Sequence, residues 1–388
     1  MMKILYIASD NYRGSGAFLS MVNLAKLMEK NYNVDVLAIL PEKGNGEELL
    51  KDYSIPFKYI RSLSWCIRID RRKLPITKLK ILLGKVFNII PIIRLVFTIL
   101  INKIDIIHIN TSYSYVGAVA GKLCKKPIIW HIREMLEEGQ GCEIWNKKKG
   151  YRLINKSTEI ITISKAIFEK YQKILDQRKM KVILNGIDES DYYIANHKIL
   201  NIDFLQLSII GTISERKGQF FLVEAIDKLI IRGYKNFSVW IIGKGNTADE
   251  ERLLNLIKQK KLEKYILLCG YQKDIPKWLE KTDIVLSCCN AEGFGRTTVE
   301  AMLAGCLVIG VKAAGTKELI VENQTGLLYQ EGNVENLTDQ IERVINDKNA
   351  MVKIAQKGQQ YMLRNMTASI NAEKIYKEYC RILKSDEK

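Results

Sequence analysis

The stretch DIVLSCCNAEGFGRTTVEAMLAGCLVIG, residues 283–310, contains one complete strand–helix–strand unit. Continuous apolar runs at Asp283–Ser287 and Leu307–Gly310 predict two strands that are buried on both faces. Between them, a glycine-containing loop precedes the helical pattern Thr297–Ala304. Because parallel strands need a crossover connection of this kind, the stretch predicts an α/β fold with a parallel sheet.

The same alternation extends in both directions and forms two series. The other predicted strands are Lys3–Ala8, Val34–Leu40, Asp105–Ile109, Pro127–Trp130, Glu159–Ile163, Lys181–Leu184, Leu205–Ile210, Ser238–Ile242 and Tyr265–Leu268. The other predicted helices are Ala17–Glu29, Tyr113–Lys125, Gln219–Ile231, Asp249–Lys260, Val334–Asn346, Ala350–Arg364 and Ile370–Lys384. A chain of 388 residues is too long for one ordinary domain, so we expect two parallel-sheet domains.

The predicted boundary falls in a polar stretch between the two series of strands. We assign residues 1–188 to the first domain, 189–204 to a linker and 205–365 to the second domain. Residues 366–388 are predicted to form a C-terminal helix. The composition, with 47% hydrophobic and 27% charged residues, is typical of a globular protein and excludes a fibrous or disordered chain.

The net charge of +17 points to an anionic partner, and the first 200 residues contribute most of it. The eight cysteines form no CxxC pair and there are only three histidines, which argues against a zinc site and favours reduced thiols in the cytoplasm. The first apolar run has five residues and then reaches Asp10, which predicts a strand and not a signal peptide.

A basic and apolar segment, Arg61–Lys103, stands out in the first domain. It contains ten basic residues and a single acidic one. Lys85, Pro91 and Arg94 interrupt its apolar part, which argues against a membrane-spanning helix. Two interpretations remain: a helix packed on the sheet with a solvated basic face, or an interfacial helix on an anionic membrane.

The loop and helix start at residues 290–304 carry the densest chemical signal. Gly293 and Gly295 allow the backbone to approach a ligand, and the amides from Phe294 onward favour phosphate. Glu292 on the loop and Glu300 in the helix can both accept hydrogen bonds from sugar hydroxyls. A Gly-Phe-Gly sequence alone would be explained by a tight turn.

These residues resemble the Glu-x7-Glu signature of retaining GT-B glycosyltransferases, glycosyltransferase family 4. The similarity continues through the stretch AGCLVIGVKAAGTKELIVENQTGLLY, which follows the signature. The sequences GTISERKG (211–218), IIGKG (241–245) and NGID (185–188) match further family motifs in the expected order. The resemblance implies two Rossmann-like domains that face each other across a central cleft, with the last helix packing back on the first domain.

The resemblance also implies roles for individual residues. Lys217 would contact the donor diphosphate, and a lysine there suits phosphate, although most lysines in loops are merely solvated. Most relatives carry arginine where this chain has Thr212, so Arg216 is the candidate for the second cation. Glu292 and His131 would contact the donor sugar, whereas His108 is better explained as a core histidine. The implied donor-binding residues are Gly14, Gly16, Gly211, Gly243, Gly293, Phe294, Gly295, Arg296, Thr297 and Glu300.

The implied activity is transfer of a sugar from a nucleotide sugar, with a UDP-sugar favoured, to an acceptor hydroxyl. The family transfers with retention and needs no essential metal, and no cofactor is expected. The basic, apolar first domain favours a lipid-linked or saccharide acceptor in bacterial surface polysaccharide synthesis, at the inner face of the membrane. A nucleotide-sugar 2-epimerase shares the double-Rossmann plan and is the alternative enzyme. A nucleic-acid-binding protein is disfavoured, because no recognised motif accompanies the charge.

Overall fold

In a computed structural model, which describes residues 1–197, 199–200 and 204–386, the chain divides into two compact units. The first comprises Met1–Gly186 with Ala368–Lys388, and the second comprises Ile187–Thr367. Each unit has one parallel sheet joined by crossover helices, so the predicted architecture of two parallel-sheet α/β domains is confirmed.

The first unit has a seven-stranded parallel sheet of order β3-β2-β1-β5-β6-β8-β9 and a separate antiparallel pair, β4 with β7. Its strands are β1 (Lys3–Ile7), β2 (Asp35–Leu40), β3 (Phe57–Tyr59), β4 (Cys66–Arg68), β5 (Ile106–Ile109), β6 (Ile128–Ile132), β7 (Cys142–Ile144), β8 (Glu159–Thr162) and β9 (Met180–Val182). The central strands are buried on both faces, which explains their unbroken apolar sequences.

Helices of this unit connect the strands. They are α1 (Gly16–Tyr32), α2 (Glu47–Asp52), α3 (Pro75–Phe87), α4 (Ile89–Ile101), α5 (Val116–Leu123), α6 (Leu136–Gln140), α7 (Lys147–Ile154) and α8 (Lys165–Tyr171). The predicted helix Tyr113–Lys125 is shorter than expected, because residues 113–115 form the loop that leaves β5.

Strands β3, β4 and β7 were not predicted from the sequence. Each has only three residues, which is too short for the period-2 pattern to be distinguished from a loop. Strand β3 lies at the edge of the sheet, and β4 and β7 pair only with each other.

The basic segment folds into two consecutive helices, α3 and α4, separated by Asn88. The sequence placed the interruption at Pro91, but Pro91 occupies the first turn of α4, where its missing N–H breaks no intrahelical bond. The break at Asn88 is stabilised by its side chain, because Asn88 Nδ2 donates to Leu63 O and Asn88 Oδ1 accepts from Leu63 N.

Most large apolar side chains of α3 and α4 are exposed. The side chains of Leu82, Val86, Ile89, Ile90, Ile93 and Phe97 are exposed, whereas Pro91, Leu95 and Ile99 are buried. The solvent-facing surface of α3 and α4 is therefore apolar as well as basic, contrary to the interpretation of a helix packed on the sheet with a solvated basic face. By length and composition, Pro75–Ile101 is long and apolar enough to cross a membrane.

The C-terminal helix α17 (Ala368–Asp386) belongs to the first unit and packs against α1. Tyr376 stacks on Tyr32 with ring centroids 4.3 Å apart, and the Tyr379 hydroxyl lies 2.8 Å from that of Tyr6. Residues 387 and 388 of the predicted C-terminal helix lie outside the described residues.

The second unit contains a six-stranded parallel sheet of order β12-β11-β10-β13-β14-β15. Its strands are β10 (Leu205–Ile210), β11 (Phe237–Ile242), β12 (Ile266–Gly270), β13 (Ile284–Ser287), β14 (Leu307–Val311) and β15 (Leu327–Tyr329). The unpredicted β15 is again a three-residue edge strand. Leucine, isoleucine and valine side chains from both sheet faces form the core with the flanking helices.

The helices of the second unit include one inside the predicted linker. They are α9 (Glu189–Tyr192), α10 (Gln219–Ile231), α11 (Thr247–Gln259), α12 (Ile275–Leu279), α13 (Arg296–Leu303), α14 (Thr316–Leu319), α15 (Val334–Asn346) and α16 (Lys348–Asn365). Helix α9 packs against α13, so this part of residues 189–204 is ordered structure. Residues 198 and 201–203 of the predicted linker lie outside the described residues.

Candidate functional site

The chain leaves two neighbouring strands of the second sheet, β10 and β13, toward opposite edges of the sheet. Strand β10 continues to β11 on one side, and β13 continues to β14 on the other. In open α/β sheets, such a switch point leaves a crevice at the carboxyl ends of the strands. The loop that follows β10 carries Arg216 and Lys217, and the loop that follows β13 carries Glu292.

These two loops meet through an ion pair between Lys217 and Glu292. Lys217 Nζ lies 2.5 Å from Glu292 Oε2, and about a fifth of each side chain is exposed. Burial by itself would raise the pKa of Glu292, but Lys217 and Arg216 hold that pKa below its ordinary value. Burial would likewise lower the pKa of Lys217, but Glu292 holds that pKa above its ordinary value. Both groups are therefore charged at neutral pH.

Arg216 lies at the same edge of the sheet. Its Nη1 is 3.2 Å from Cys289 Sγ, in the loop that also carries Glu292. Thr212, which stands where most relatives have arginine, accepts through its carbonyl a hydrogen bond from the Gln219 side chain. Arg216 is therefore a cation at the same edge of the sheet as Lys217, and its role toward a ligand stays a prediction.

Helix α13 begins directly after the glutamate loop. Gly295 is its N-cap residue with φ +97°, a left-handed conformation that favours glycine, and no side chain caps the helix. Arg296 and Thr297 occupy the first turn, whose amides and positive dipole end favour an anion. Phe294 is buried and anchors the loop.

Glu300 lies one turn further into α13 and is almost completely buried. Its Oε1 accepts a hydrogen bond of 3.1 Å from Arg296 Nη2, and the Tyr192 hydroxyl of α9 is a second partner. Burial raises the pKa of Glu300, and Arg296 and Tyr192 offset part of that increase. No sequence pattern pointed to Tyr192, because α9 lies in a stretch whose polar composition is typical of a linker.

Gly211 and Gly243 follow β10 and β11 and lie against each other. A Cβ atom on Gly243 would be 2.0 Å from Gly211 O, and Gly243 has φ +145°. Only glycine fits this close approach of two backbones. The two predicted donor-binding glycines therefore maintain the shape of the sheet edge beside Lys217.

The first unit presents its own glycine loop at the equivalent switch point, after β1. Gly14 and Gly16 flank Ser15, which caps α1 by accepting a hydrogen bond of 3.3 Å from Phe18 N. The Asp10 carboxylate accepts hydrogen bonds from the Ser9 and Ser15 hydroxyls. Burial raises the pKa of Asp10, and these hydrogen bonds offset part of the effect.

His131 lies inside β6, one residue before its end, whereas the sequence placed it just after the strand. It is fully buried, and Nδ1 lies 3.0 Å from Nε2 of His108 on the neighbouring strand. Arg133 Nη2 is 3.2 Å from the same Nδ1. Sequence reasoning missed Arg133, although a charged residue directly after a strand and beside a candidate histidine was a usable signal.

Within the part of the chain that the structure describes, no three His, Cys, Asp or Glu side chains are grouped so that they could hold a metal ion. The charged groups at the edge of the second sheet include the Lys217, Arg216 and Arg296 cations and the Glu292 and Glu300 carboxylates. This combination can bind a phosphorylated ligand through its cations and hydroxyl groups through its carboxylates.

Two family models match the chain. The model described as glycosyl transferases group 1 matches residues 196–361, and the model described as glycosyltransferase family 4 matches residues 14–191. Together they match most of the chain and include every candidate site residue.

Curated relatives include bacterial glycosyltransferases. The capsular polysaccharide biosynthesis glycosyltransferase CapM of Staphylococcus aureus is 24% identical over 60% of this chain and 63% of its own length. The chain thus matches less than two thirds of that relative. An Escherichia coli UDP-Gal:alpha-D-GlcNAc-diphosphoundecaprenol alpha-1,3-galactosyltransferase is 25% identical over 63% of this chain and 67% of its own length.

Solved structures show the same fold. HepE of Anabaena, in complex with UDP and glucose, superposes with a TM-score of 0.80 and 23% identity. The match covers 98% of this chain and all of the HepE chain.

Proposed function

Since the chain belongs to the GT-B group 1 glycosyltransferases, we propose that it transfers a sugar, with retention of anomeric configuration, from a nucleotide sugar to an acceptor hydroxyl. The proposed acceptor is a saccharide or a lipid-linked saccharide of a bacterial surface polysaccharide. Capsular polysaccharide synthesis in the Staphylococcus aureus relative supports this assignment.

The observation that carries the proposal is the Lys217–Glu292 pair between β10 and β13, beside the start of α13. A departing nucleoside diphosphate accumulates negative charge as the bond to the sugar breaks. Lys217, Arg216 and the first-turn amides of α13 are placed at one edge of the sheet, where they would stabilise that charge. In this proposal they take the role that a metal ion has in other transferases.

Glu292 is proposed to position the donor sugar. Its carboxylate can accept hydrogen bonds only, which suits the hydroxyl groups of a sugar. Lys217 would contact both Glu292 and the leaving diphosphate. The sugar at Glu292 and the diphosphate at Lys217 would then be held by two charged side chains that contact each other. Glu300, deeper in α13, is proposed to accept hydrogen bonds from the ribose hydroxyls of the nucleotide.

A UDP-sugar is the proposed donor. The Anabaena HepE structure contains UDP and glucose, and the Escherichia coli relative is named for UDP-Gal and for an acceptor on diphosphoundecaprenol. These are properties of those proteins. They support a UDP-sugar donor and a lipid-linked acceptor here because HepE shares the fold of this chain and the Escherichia coli relative shares 25% of its sequence over the matched region.

Peripheral attachment to the inner face of the membrane is the proposed location. The helices α3 and α4 expose Leu82, Ile90 and Phe97, each more than half exposed, while the surrounding segment carries ten basic residues. Apolar side chains that insert and basic side chains that meet anionic headgroups are the two components of interfacial binding.

A donor screen tests the function. The purified protein is incubated with UDP-, GDP-, ADP- and dTDP-sugars, and the release of free nucleotide is measured with and without saccharide acceptors and with a metal chelator. We expect nucleotide to be released from a UDP-sugar only when the acceptor is present, and we expect the chelator to leave this release unchanged. The anomeric carbon of the product should have the same axial or equatorial configuration as that of the donor. Epimerised donor without a new glycoside would instead establish the 2-epimerase, and loss of activity with the chelator would refute metal independence.

A further inference from the structure

A second basic surface of the first unit lies outside the segment Arg61–Lys103. Residues 106–133, which include α5, and residues 144–158, which include α7, contain no acidic side chain. Five cations at the ends of these two helices are exposed, apart from one that is half-buried, and none of them forms an ion pair with a described carboxylate. These five residues, which we call the α5–α7 patch, are Lys122, Lys125, Lys126, Arg152 and Lys156.

Two ammonium groups of the α5–α7 patch approach each other. The side chain of Lys122 lies within hydrogen-bonding reach of Lys156, and Arg152 adds a third positive charge nearby. The contact with Lys122 is the largest cause of a lowered pKa of Lys156. Like charges in contact destabilise a fold, and arrangements that break a local rule without a structural gain are typical of functional sites. A bound anion would neutralise this repulsion.

The helices of the α5–α7 patch lie on one face of the first sheet. Helix α5 connects β5 to β6, and α7 lies on the connection from β6 to β8, so the two crossovers run in the same direction along the sheet. Because such crossovers are right-handed, they place both helices on the same face. Helix α4 packs against α5, and Cys124 Sγ lies 4.0 Å from Val96 O. Helices α4, α5 and α7 therefore form one layer.

Leu123 adds an apolar side chain to the cations. It is 65% exposed and lies between Lys122 and the turn that carries Lys125. On the neighbouring α4, Ile93 and Phe97 are exposed as well. Exposed apolar side chains beside unpaired cations are the two components of binding to the interface of an anionic membrane. A nucleic acid would use the cations and leave Leu123 exposed, so the observations favour a lipid surface.

We propose that the α5–α7 patch binds the phosphate groups of anionic lipids, with Leu123 inserted between the headgroups, so that the layer of α4, α5 and α7 lies along the membrane. The inference rests on the peripheral attachment that is part of the proposed function, and it adds a contact surface outside Arg61–Lys103. It also gives α4 an orientation. Leu95 and Ile99 stay buried in the fold, so α4 lies on the membrane surface and does not cross the bilayer.

Lysine acetylation followed by mass spectrometry measures the contact at each site. The full chain is labelled alone, with vesicles of phosphatidylcholine, and with vesicles that also contain phosphatidylglycerol. Labelling of Lys122 and Lys156 should fall severalfold with phosphatidylglycerol only. Lys353 and Lys357, two exposed lysines one turn apart on α16, should be labelled equally in all three samples. Equal labelling of Lys122 and Lys156 in all three samples would overturn the proposal.

A charge-removing double variant tests the contribution to affinity. Lys122→Gln with Lys156→Gln should bind phosphatidylglycerol vesicles about tenfold to thirtyfold more weakly, because each basic residue near the surface contributes about fivefold. Lys353→Gln with Lys357→Gln is the charge-matched control. The melting temperature of the first variant should not fall, because the change removes a repulsion, whereas a merely structural role would lower it. Vesicle binding equal to that of the wild type would refute the patch.

Two further measurements distinguish lipid from other anions. Glycerol phosphate has the phosphate group of a lipid and no acyl chains, so it should protect Lys122 and Lys156 less than vesicles do. Equal protection by glycerol phosphate would assign the patch to a soluble phosphate compound and overturn the proposal. A double variant that binds vesicles normally but has lost affinity for duplex DNA would assign the patch to nucleic acid and overturn it as well.

The outcomes separate this inference from the proposed function. If Arg71→Glu with Lys73→Glu releases the protein from vesicles and Lys122→Gln with Lys156→Gln does not, the α5–α7 patch is refuted and the peripheral attachment stands. If the donor screen shows no sugar transfer but the lysine-to-glutamine double variant binds vesicles weakly, the proposed transferase activity fails and the patch stands.

Discussion

Lys217 Nζ and Glu292 Oε2 lie 2.5 Å apart, although they belong to loops that leave β10 and β13 in opposite directions. In the proposed function, Lys217 contacts the leaving diphosphate and Glu292 contacts the sugar. A donor that binds at this edge would place its phosphates beside a lysine that is already held in position. The lysine then needs to move little when negative charge develops on the diphosphate. Electrostatic stabilisation is effective when the charged groups are already in place.

Lys217→Ala should lower turnover more than it weakens donor binding. The lysine acts mainly on charge that develops as the diphosphate departs, so its loss should cost about a hundredfold in kcat, with a smaller rise in KM for the donor. Steady-state kinetics with the donor identified in the screen measures both constants. Lys217→Arg, which keeps the charge, should recover part of the rate. A rise in KM with an unchanged kcat would show uniform binding and contradict this role.

The ion pair should make stability depend on pH in a defined direction. The folded pKa of Glu292 is lowered from its ordinary value of 4.5, so its contribution is fully present above that pH and is lost as the pH falls through the lowered value. Urea unfolding measures the free energy of unfolding of the wild type and of Glu292→Gln between about pH 7 and about pH 3. The difference between the two free energies should become smaller as the pH falls. Glu251→Gln, at an exposed position of α11, is the control.

The same Glu292→Gln variant should transfer sugar poorly and yet bind UDP nearly as well as the wild type, because Glu292 faces the sugar in the proposed function. A stability difference that is constant with pH would contradict the ionised pair, and loss of UDP binding would contradict the sugar-facing role.

Glu300→Ala should weaken UDP binding by about 1–3 kcal/mol, the cost of leaving a hydrogen-bonding group without its partner. Isothermal calorimetry with UDP measures this directly. Glu300→Gln keeps the size of the side chain and leaves an oxygen for Arg296, so its loss should be smaller. Unchanged UDP affinity in Glu300→Ala, with an unchanged melting temperature, would exclude the ribose contact.

Removing charge from the basic segment should weaken binding to anionic vesicles. Arg71 and Lys73 are exposed, whereas Arg72 forms an ion pair with the buried Glu143, so reversal is best restricted to Arg71→Glu and Lys73→Glu. Each basic residue near the surface contributes about 1 kcal/mol, so the double variant should lose most of its co-sedimentation at low salt. Lys235→Glu with Lys258→Glu, two exposed lysines of the second unit, is the charge-matched control.

The same assay tests the contribution of apolar side chains to membrane binding. The variant that combines Leu82→Ser with Ile90→Ser is compared with Ile231→Ser, which changes an exposed apolar residue of the second unit. Partial release of the wild type by high salt is expected for interfacial binding. No vesicle binding at low salt would refute membrane attachment, and full resistance to salt and to alkaline extraction would indicate a helix that spans the bilayer.

Much of the fold could be predicted because its main signals are local. Strand β10 and the helices α10 and α15 have the predicted bounds, since each is an uninterrupted pattern followed directly by a polar or glycine residue. The three-residue strands β3, β4, β7 and β15 were not predicted, because their existence depends on a neighbour that completes the pairing. Asn88, and not Pro91, separates α3 from α4 because proline is tolerated in the first turn of a helix.

The sequence alone determined the order of strands and helices, the loops that carry Lys217, Glu292 and Glu300, and the family to which their spacing belongs. Only the tertiary structure decided which charges pair, because Lys217 and Glu292 are 75 residues apart and come together only through the neighbouring positions of β10 and β13. The contact between His108 and Tyr379 spans 271 residues and depends on how α17 packs against the first sheet. Local patterns encode backbone periodicity and burial, whereas contacts of this range are fixed by packing that no single stretch of sequence specifies.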